Sequence, residues 1–431
     1  MNFRARITHR AGSLWLAAAL LPVAPALSIA KDAAGFEAAP ALPGATLAKE
    51  GLFKGPLHKV AQPVRVEGHL GRFVIESKFG KFSVRGSELL ATRVHELAAI
   101  EELQKVESDS AFKDALATSA AGMAKFAVNA VADPGKTAEG IEKGVGTVWG
   151  RVTYAAKSGS DYVGDKAADA VKPGAKPKAA ATDEPAPPAF TGDPLGYNKA
   201  RREWAQKLNI DPYTSNPVLR PLLDKAASAS FAGNFAVSLT LGAVMAPIQY
   251  AYSFDDTVRQ AIWNKPPIDL AKENEAKLIA LGAKERTVRD LLRNNWFTPT
   301  LQTGLVTRLS VLGKLEGIES VVATAAAVQG ESRARFLLES LAMLAAHHQK
   351  EGKLTAIRMS NLVPVGVAAD GRLVAALAID YGTWDRDAAA FAQRKDFAAK
   401  GRTILVAGKM SPRALKELEK AGWTVKAGLR A

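Results

Sequence analysis

The chain has 431 residues, of which 57 are Lys or Arg and 43 are Asp or Glu, so its formal net charge is +14. Because 48% of the residues are hydrophobic, the chain can bury a sizeable core, and its length predicts about two or three domains. It contains no cysteine, which excludes disulfides, a thiol nucleophile, zinc knuckles, thiolate-bound iron–sulfur clusters and a lipid-modified cysteine anchor.

Residues 1–30 have the layout of a secretory signal peptide. Arg4, Arg6 and Arg10 form a basic beginning, and an uncharged apolar stretch follows and ends in Ser-Ile-Ala at Ala30. Small residues at these last positions are what a signal peptidase requires. The apolar stretch is interrupted by two prolines and is shorter than the ~20 residues of a spanning helix. We therefore predict cleavage near Ala30 and a periplasmic or secreted mature protein.

Charge is distributed unevenly along the predicted mature chain. Residues 31–170 hold 18 basic and 18 acidic side chains, residues 194–350 hold 19 and 14, and residues 351–431 hold 14 and 8. A basic protein is often a nucleic-acid binder, but an exported one meets phospholipid headgroups and other phosphates of the envelope. We expect an anionic envelope surface, with peripheral membrane contact, or another envelope protein as partner, and no nucleic acid.

Residues 31–170 form the first predicted domain, a short β element followed by Gly/Ala-rich helices. The Ala- and Pro-rich residues 31–50 indicate a loose arm. Between residues 60 and 85, apolar and polar side chains alternate and glycines mark the turns, which predicts β-strands. Ser87 is the predicted N-cap of the helix that follows. Repeated glycines then lower the expected helix stability by about 1 kcal/mol each.

Residues 171–193 are a predicted linker, because proline, alanine and charge dominate there. Residues 194–350 form a predicted helical domain; within it, Thr298 caps a helix that carries proline at its first position and a stripe of leucines. Residues 226–254 contain no charged side chain. The length would span a bilayer, but Asn, Gln, Pro and Ser dilute the hydrophobicity, so we predict a buried or groove-forming segment.

Residues 351–431 form a predicted small α+β domain. Three strands lie between residues 354 and 379, and Asp370-Gly371 is a two-residue hairpin signal between the second and third strands. A helix, a strand, a helix and a strand follow, and Asp385 is the predicted N-cap of the first helix. The predicted fold class is therefore α+β and mostly helical, with a β-hairpin in the C-terminal domain.

The sequence contains no coherent set of catalytic residues. His347 and His348 are adjacent, so on a helix they point about 100° apart and cannot chelate one metal. Residues 130–137 match only a permissive form of the phosphate-binding loop, in which proline removes a donor. We expect no metal, no cofactor and no catalysis. The alternative is an exported hydrolase whose site is assembled from distant residues, namely His347, His348 and Asp380.

The predicted contact with an anionic surface is a basic helix segment, Lys199, Arg201 and Arg202 beside Trp204. Cations that bind phosphate next to an interfacial aromatic suit a lipid surface. The sequence thus favours an exported non-catalytic envelope protein that scaffolds or binds at an anionic membrane or cell-wall surface. A further alternative is a binding module that holds a small apolar ligand around residues 226–254.

Overall fold

A computed structural model describes residues 35–114, 197–231 and 255–430. The predicted signal peptide, the predicted linker, the phosphate-loop match and most of the charge-free segment lie outside these residues. The described part has a mixed α+β fold, as predicted. No helix within it is long and apolar enough to cross a membrane.

The N-terminal sheet is antiparallel, and β5 is its central strand. Its strands are β1 (Ala41–Leu42), β2 (Lys54–Gly55), β3 (His58–Val60), β4 (Val64–Glu67), β5 (Leu70–Ser77) and β6 (Gly80–Arg85). One edge of β5 pairs with β4 and then with β3, and the other edge pairs with β6. Alternate side chains such as Phe73 and Ile75 are fully buried, which confirms the predicted strand pattern.

Helix α1 (Ser87–Ser108) follows β6 and packs its Leu90, Leu97 and Ile100 into the first hydrophobic core. Its N-cap is Gly86, with φ 91°, and no side chain caps this end locally. The prediction that Ser87 is the N-cap is therefore wrong. Ser87 is the first helical residue, and its hydroxyl is used in a contact with a distant part of the chain.

The middle of the chain is helical, as predicted. Its helices are α2 (Tyr197–Lys207), α3 (Leu219–Phe231), α4 (Asp256–Asn264), α5 (Pro267–Ala280), α6 (Glu285–Leu292), α7 (Pro299–Leu312), α8 (Ile318–Ala327) and α9 (Glu331–Lys350). The Thr298 side chain accepts the Leu301 N–H, which confirms the predicted cap of α7. Helices α2 and α3 contribute Trp204, Ala205 and Leu223 to the core that α1 and the N-terminal sheet also share.

The C-terminal sheet has the strand order β13-β11-β9-β8-β7. Its strands and helices are β7 (Leu354–Ser360), β8 (Val363–Ala368), β9 (Leu373–Leu377), α10 (Arg386–Ala392), β11 (Arg402–Val406), α11 (Pro412–Lys420) and β13 (Thr424–Lys426). Strands β7, β8 and β9 are antiparallel, whereas β11 and β13 run parallel to β9. The hairpin predicted at Asp370-Gly371 is confirmed, but its loop has three residues, 369–371, rather than two, because the Ala368 N–H donates to the Arg372 carbonyl; Gly371 has φ 81°. The predicted cap is also confirmed, since the Asp385 carboxylate accepts the Ala388 N–H.

Two short strands, β10 (Tyr381–Gly382) and β12 (Lys409–Met410), pair in parallel beside this sheet. A second core joins α7 and α9 to the C-terminal sheet, for example through Leu337, Val374 and Leu405. The predicted domain boundary between residues 350 and 351 therefore lies within one continuous core.

The described part of the predicted loose arm is anchored on the C-terminal domain. Phe36 packs against the third hydrophobic core, and the Glu37 N–H donates to the Trp384 carbonyl at 2.8 Å. The buried Glu37 carboxylate accepts the Trp384 N–H and the Ser411 hydroxyl, each at 2.6 Å. The expectation of a loose arm is thus corrected for residues 35–50, because a buried carboxylate is costly unless such donors hold it.

Candidate functional site

Asp380 is the centre of a junction between the two sheets. It lies in the loop after β9 and its side chain is fully buried. Its Oδ2 accepts the Gly71 N–H at 2.8 Å, and its Oδ1 accepts the Ser87 hydroxyl at 2.7 Å and the Arg430 Nη1 at 2.6 Å. The Ser87 N–H also donates to the carboxylate, at 3.1 and 3.2 Å from its two oxygens.

Asp380 caps α1 from a position 293 residues away in sequence. The first N–H groups of a helix have no partner within the helix, and the helix dipole favours a negative charge at that end. A buried carboxylate with several donors is therefore well placed there. Gly86 at the N-cap position is explained by its φ of 91°, a backbone conformation that residues with a side chain rarely adopt.

Arg430 and Glu339 complete this group of side chains. The guanidinium of Arg430 donates from Nε and Nη2 to the two oxygens of Glu339, at 2.7 and 2.8 Å, while its Nη1 bonds to Asp380 and to the Ser87 hydroxyl. Burial raises the pKa of Glu339 to about 8, and the nearby charges of Glu88 and Asp380 act in the same direction, against the attraction of Arg430. We call Ser87, Glu88, Glu339, Asp380 and Arg430 the Asp380 junction.

A second buried cluster ties α1 to α9. Arg93 donates to Glu96 at 2.9 Å and to Glu331 at 3.0 Å. Arg335 donates to Glu331 at 2.9 and 2.8 Å and to Glu88 at 3.4 Å. Although burial opposes ionisation, the two arginines lower the pKa of Glu331 to about 2. We call Arg93, Glu96, Glu331 and Arg335 the α1–α9 cluster.

The loop before α3 supplies neutral donors to the same cluster. The Thr214 hydroxyl and the Asn216 side-chain amide donate to Glu96, at 2.5 and 2.8 Å, and the Ser215 hydroxyl donates to Glu331 at 2.5 Å. These contacts bring three parts of the chain together around buried carboxylates. Such satisfied networks fix one packing arrangement of the elements they join.

The space beside the Asp380 junction is too small for a substrate. Its cavity, which Ser87, Glu88, Arg335, Glu339 and Arg430 line among others, has a volume of about 10 Å³. That is room for about one water molecule. The Asp380 junction joins and orients structural elements. The carboxylate of Asp380 already accepts hydrogen bonds from Gly71, Ser87 and Arg430.

The predicted hydrolytic residues are not brought together. His348 is buried, and its Nδ1 accepts the Leu354 N–H at 3.1 Å, while the Nδ1 of His347 lies 3.4 Å from Glu351. Burial is the main cause that lowers the pKa of both histidines. No hydrogen bond or ion pair between described residues joins either histidine to Asp380. Within the described ranges, no group of three or more His, Asp or Glu side chains is placed to hold a metal ion.

The predicted surface-binding residues on α2 are largely buried. Arg201 is 4% exposed and lies 2.9 Å from Asp224. Arg202 is 7% exposed and donates to the Trp263 carbonyl at 3.1 Å, and the buried Trp204 donates to the Ser230 hydroxyl at 2.8 Å. Only Lys199 is well exposed. Because α2 packs between α3 and α4, its arginines and tryptophan do not present a surface cluster in this conformation, and we correct that part of the prediction.

The N-terminal sheet carries a cationic face that the sequence analysis did not single out. Strand register places Arg65 directly opposite Arg72, and Arg72 directly opposite Arg85. All three side chains are exposed, on the face opposite to the buried Phe73 and Ile75. We call them the arginine row. The alternating pattern could have assigned these residues to the outer face, but only the register aligns them.

The charge of this face is only partly balanced. Glu67 lies 3.3 Å from Arg72 and 3.5 Å from Arg85. Among the described residues, none forms a salt bridge with Arg65. Two rows further along β5, Glu76 stands between Lys59 and Lys81. With Lys54, which stands opposite Lys59 on the next strand, the face holds six cations and two carboxylates, and it is solvent-exposed.

Comparisons with protein-family models, with curated proteins and with solved structures find no match to this chain. No relative therefore suggests an activity or a ligand. The geometry of the two charged regions, one buried and one exposed, is the basis for the functional proposal.

Proposed function

We propose that the protein is an exported, non-catalytic binding protein that attaches to an anionic surface of the cell envelope. The observation that carries this proposal is the arginine row on the outer face of the N-terminal sheet. The contact is peripheral, and the remaining elements act as a scaffold that holds this sheet in place. No cofactor takes part.

The arginine row favours an anionic partner because like charges repel across a sheet. Side chains directly opposite on antiparallel strands have Cβ atoms about 5 Å apart, and like charges at that distance destabilise the pair. Phosphate groups offset such repulsion, and guanidinium groups bind them with two parallel hydrogen bonds. A flat, exposed row therefore suits a surface that offers many phosphates at once.

The binding free energy expected from the arginine row corresponds to weak, salt-dependent attachment. A basic side chain near an anionic membrane contributes about 1 kcal/mol. Loss of the three arginines of the row should thus cost roughly 3 kcal/mol, or about a hundredfold in the partition coefficient. Attraction of this kind is screened within a Debye length of about 8 Å at physiological ionic strength.

Export supports an envelope surface as the partner. The predicted signal peptide would bring the mature protein to phospholipid headgroups and cell-wall polymers, and away from nucleic acid. The net charge of residues 31–431 remains +11. Subcellular fractionation with N-terminal sequencing tests this part of the proposal: a mature N-terminus near Lys31 in an envelope fraction is expected, and an uncleaved cytosolic chain would contradict it.

Vesicle flotation tests the surface. The mature chain should float with vesicles of phosphatidylglycerol and phosphatidylcholine at low salt, and not with phosphatidylcholine alone. The triple variant Arg65→Gln, Arg72→Gln, Arg85→Gln should lose this binding.

The matched control removes the same charge elsewhere. Lys272, Lys314 and Lys353 are exposed and lie away from the sheet face, so their triple change to Gln should leave most binding intact. Equal loss in both variants would mean that only net charge matters, and unchanged binding in the arginine variant would refute the proposed surface.

A further inference from the structure

A cleft of about 500 Å³ opens on the C-terminal domain, at the edge of the sheet where β11 begins. It lies between the end of α10, the turn that follows this helix, the start of β11 and the end of α11. Four of its seven lining residues are alanines, among them Ala398 and Ala399, and the other three are Gln393, Arg394 and Arg402. Short apolar side chains thus leave room for a small ligand beside two guanidiniums. We call this space the Arg402 cleft.

Both arginines of the cleft lie on aromatic rings that pack against one another. The ring centres of Phe391, Phe397 and Trp423 are 5.3 to 6.0 Å apart, and the last two side chains are buried. The guanidinium carbon of Arg394 lies 4.7 Å from the centre of the Phe397 ring. That of Arg402 lies 5.2 Å from the centre of the Trp423 ring. Such stacking restricts a guanidinium before a ligand arrives, so less conformational freedom is lost on binding.

The two guanidiniums differ in how far their charge is already balanced. Arg394 donates to both oxygens of Asp396, at 3.0 and 2.7 Å, and to the Ser360 hydroxyl at 3.0 Å. Arg402 donates from Nη2 to the Ala421 carbonyl, which is neutral. Within the described ranges, no carboxylate forms a salt bridge with Arg402. Its positive charge is therefore available to an anion that enters the cleft.

The lining also limits the rest of such an anion. A guanidinium matches the two oxygens of a carboxylate or a phosphate with parallel N–H donors. Apart from Gln393, the remaining wall consists of alanines, and a polar body would lose its water there without gaining partners. An apolar body loses nothing by leaving water. The wall thus favours an organic carboxylate over a phosphate.

We propose that the Arg402 cleft binds a small organic carboxylate, whose oxygens accept hydrogen bonds from the Arg402 guanidinium while its apolar body lies against the alanines. Arg394 adds positive charge at the other side of the cleft. The proposal is independent of the proposed function, because the Arg402 cleft belongs to the C-terminal domain and the arginine row belongs to the N-terminal sheet.

Titration of the mature chain with hexanoate at constant ionic strength, followed by nuclear magnetic resonance, tests the proposal. The Nε–H resonance of Arg402 and the side-chain amide of Gln393 should shift and saturate together. 1-Hexanol has the same apolar body without the charge and should bind at least about tenfold more weakly. Arg402→Gln should weaken hexanoate binding by a similar factor.

A second variant leaves both arginines in place, because Arg402→Gln also removes the contact with Trp423. Ala398 is exposed and lines the cleft, so Ala398→Leu should fill the space and abolish hexanoate binding without disturbing the fold. The matched control is Arg386→Gln. It removes an exposed arginine at the start of α10, outside the lining, and should bind hexanoate as the wild type does.

Three results would overturn the proposal. Equal binding of hexanoate and 1-hexanol would show that the charge of Arg402 takes no part. Binding of inorganic phosphate without binding of hexanoate would contradict the assigned class of ligand. Hexanoate binding that is unchanged in Ala398→Leu would place the ligand elsewhere on the protein.

Discussion

The outer face of the N-terminal sheet and the Asp380 junction use the same chemical groups in opposite ways. In the arginine row, three exposed guanidiniums stand side by side with one carboxylate nearby. In the junction, one guanidinium is surrounded by carboxylates and neutral donors, and water has almost no access. The first region is open to a partner, whereas the second is closed by its own contacts.

This difference shows that exposure to solvent decides how much a charged side chain contributes to the stability of the fold. An exposed ion pair contributes about 0–1 kcal/mol because water and salt screen it. A buried charge that loses its partner costs roughly 3–5 kcal/mol. Substitutions in the junction should therefore act on folding, and substitutions in the arginine row should act on binding.

The largest expected effect is at the centre of the junction. Asp380→Ala leaves the N–H groups of Gly71 and Ser87 without their acceptor and removes one of the two acidic partners of Arg430, so we expect a loss of about 3–5 kcal/mol in the free energy of unfolding. Urea denaturation followed by circular dichroism measures it. Exposed Asp387 offers a control whose change to Ala should cost less than about 0.5 kcal/mol. A loss below about 1 kcal/mol for Asp380→Ala would contradict the central role of this carboxylate.

The α1–α9 cluster should lose stability in acid. Because the folded pKa of Glu331 is lowered to about 2 from 4.5, the stability that it contributes is present above pH 4.5 and is lost as the pH falls through 4.5 towards 2. Acid titration of the wild type should show this loss, and Glu331→Gln should be less stable at pH 7 and flatter below pH 5. Exposed Glu285→Gln serves as the control. An acid limb that is unchanged in Glu331→Gln would disprove the assignment.

A smaller effect is expected at the cap of α10. Asp385→Ala removes the acceptor of the Ala388 N–H and the ion-pair partner of His69, 3.2 Å away, and should cost about 1 kcal/mol. Asp385→Asn keeps a capping oxygen and should cost only a few tenths of that. Thermal denaturation of both variants separates the two contributions; equal losses would show that the pair with His69, not the cap, dominates.

The smallest effect on stability is expected in the arginine row. Its triple change to Gln removes cross-strand repulsion as well as the pairs with Glu67, so the free energy of unfolding should change by no more than about 0.5 kcal/mol. Urea denaturation beside vesicle flotation checks this separation. If the variant lost several kcal/mol of stability, the row would be part of the fold and the contrast between the two regions would disappear.

Local elements of the fold could be predicted from the sequence because short-range physics specifies them. The alternating strands of the N-terminal sheet, the Asp370-Gly371 hairpin and the caps at Thr298 and Asp385 each depend on residues within a few positions of one another. The predicted cap at Ser87 was wrong for the same reason. A hydroxyl residue before an apolar helical pattern is a local signal for an N-cap. The Ser87 hydroxyl instead donates to the carboxylate of Asp380, which is distant in sequence.

The site depends on long-range contacts, so its composition could not be predicted. The sequence analysis named Asp380 as a hydrolytic candidate. Nothing in the sequence indicates that Gly71, Ser87 and Arg430 donate hydrogen bonds to that carboxylate. Similarly, the polar pattern of α2 suggested a solvated basic face. Packing on two sides buried Arg201 and Arg202 against backbone and acidic partners.

By itself the sequence determined the α+β class, the order of an N-terminal β region, a helical middle and a C-terminal α+β region, and the excess of positive charge. The tertiary structure decided which charges are buried and which are exposed. Register aligned Arg65, Arg72 and Arg85 on one face, and the docking of the two sheets enclosed Asp380 and Glu339. The physical reason is that desolvation depends on every element packed around a group, whereas a helix cap or a hairpin turn depends on its immediate neighbours in the chain.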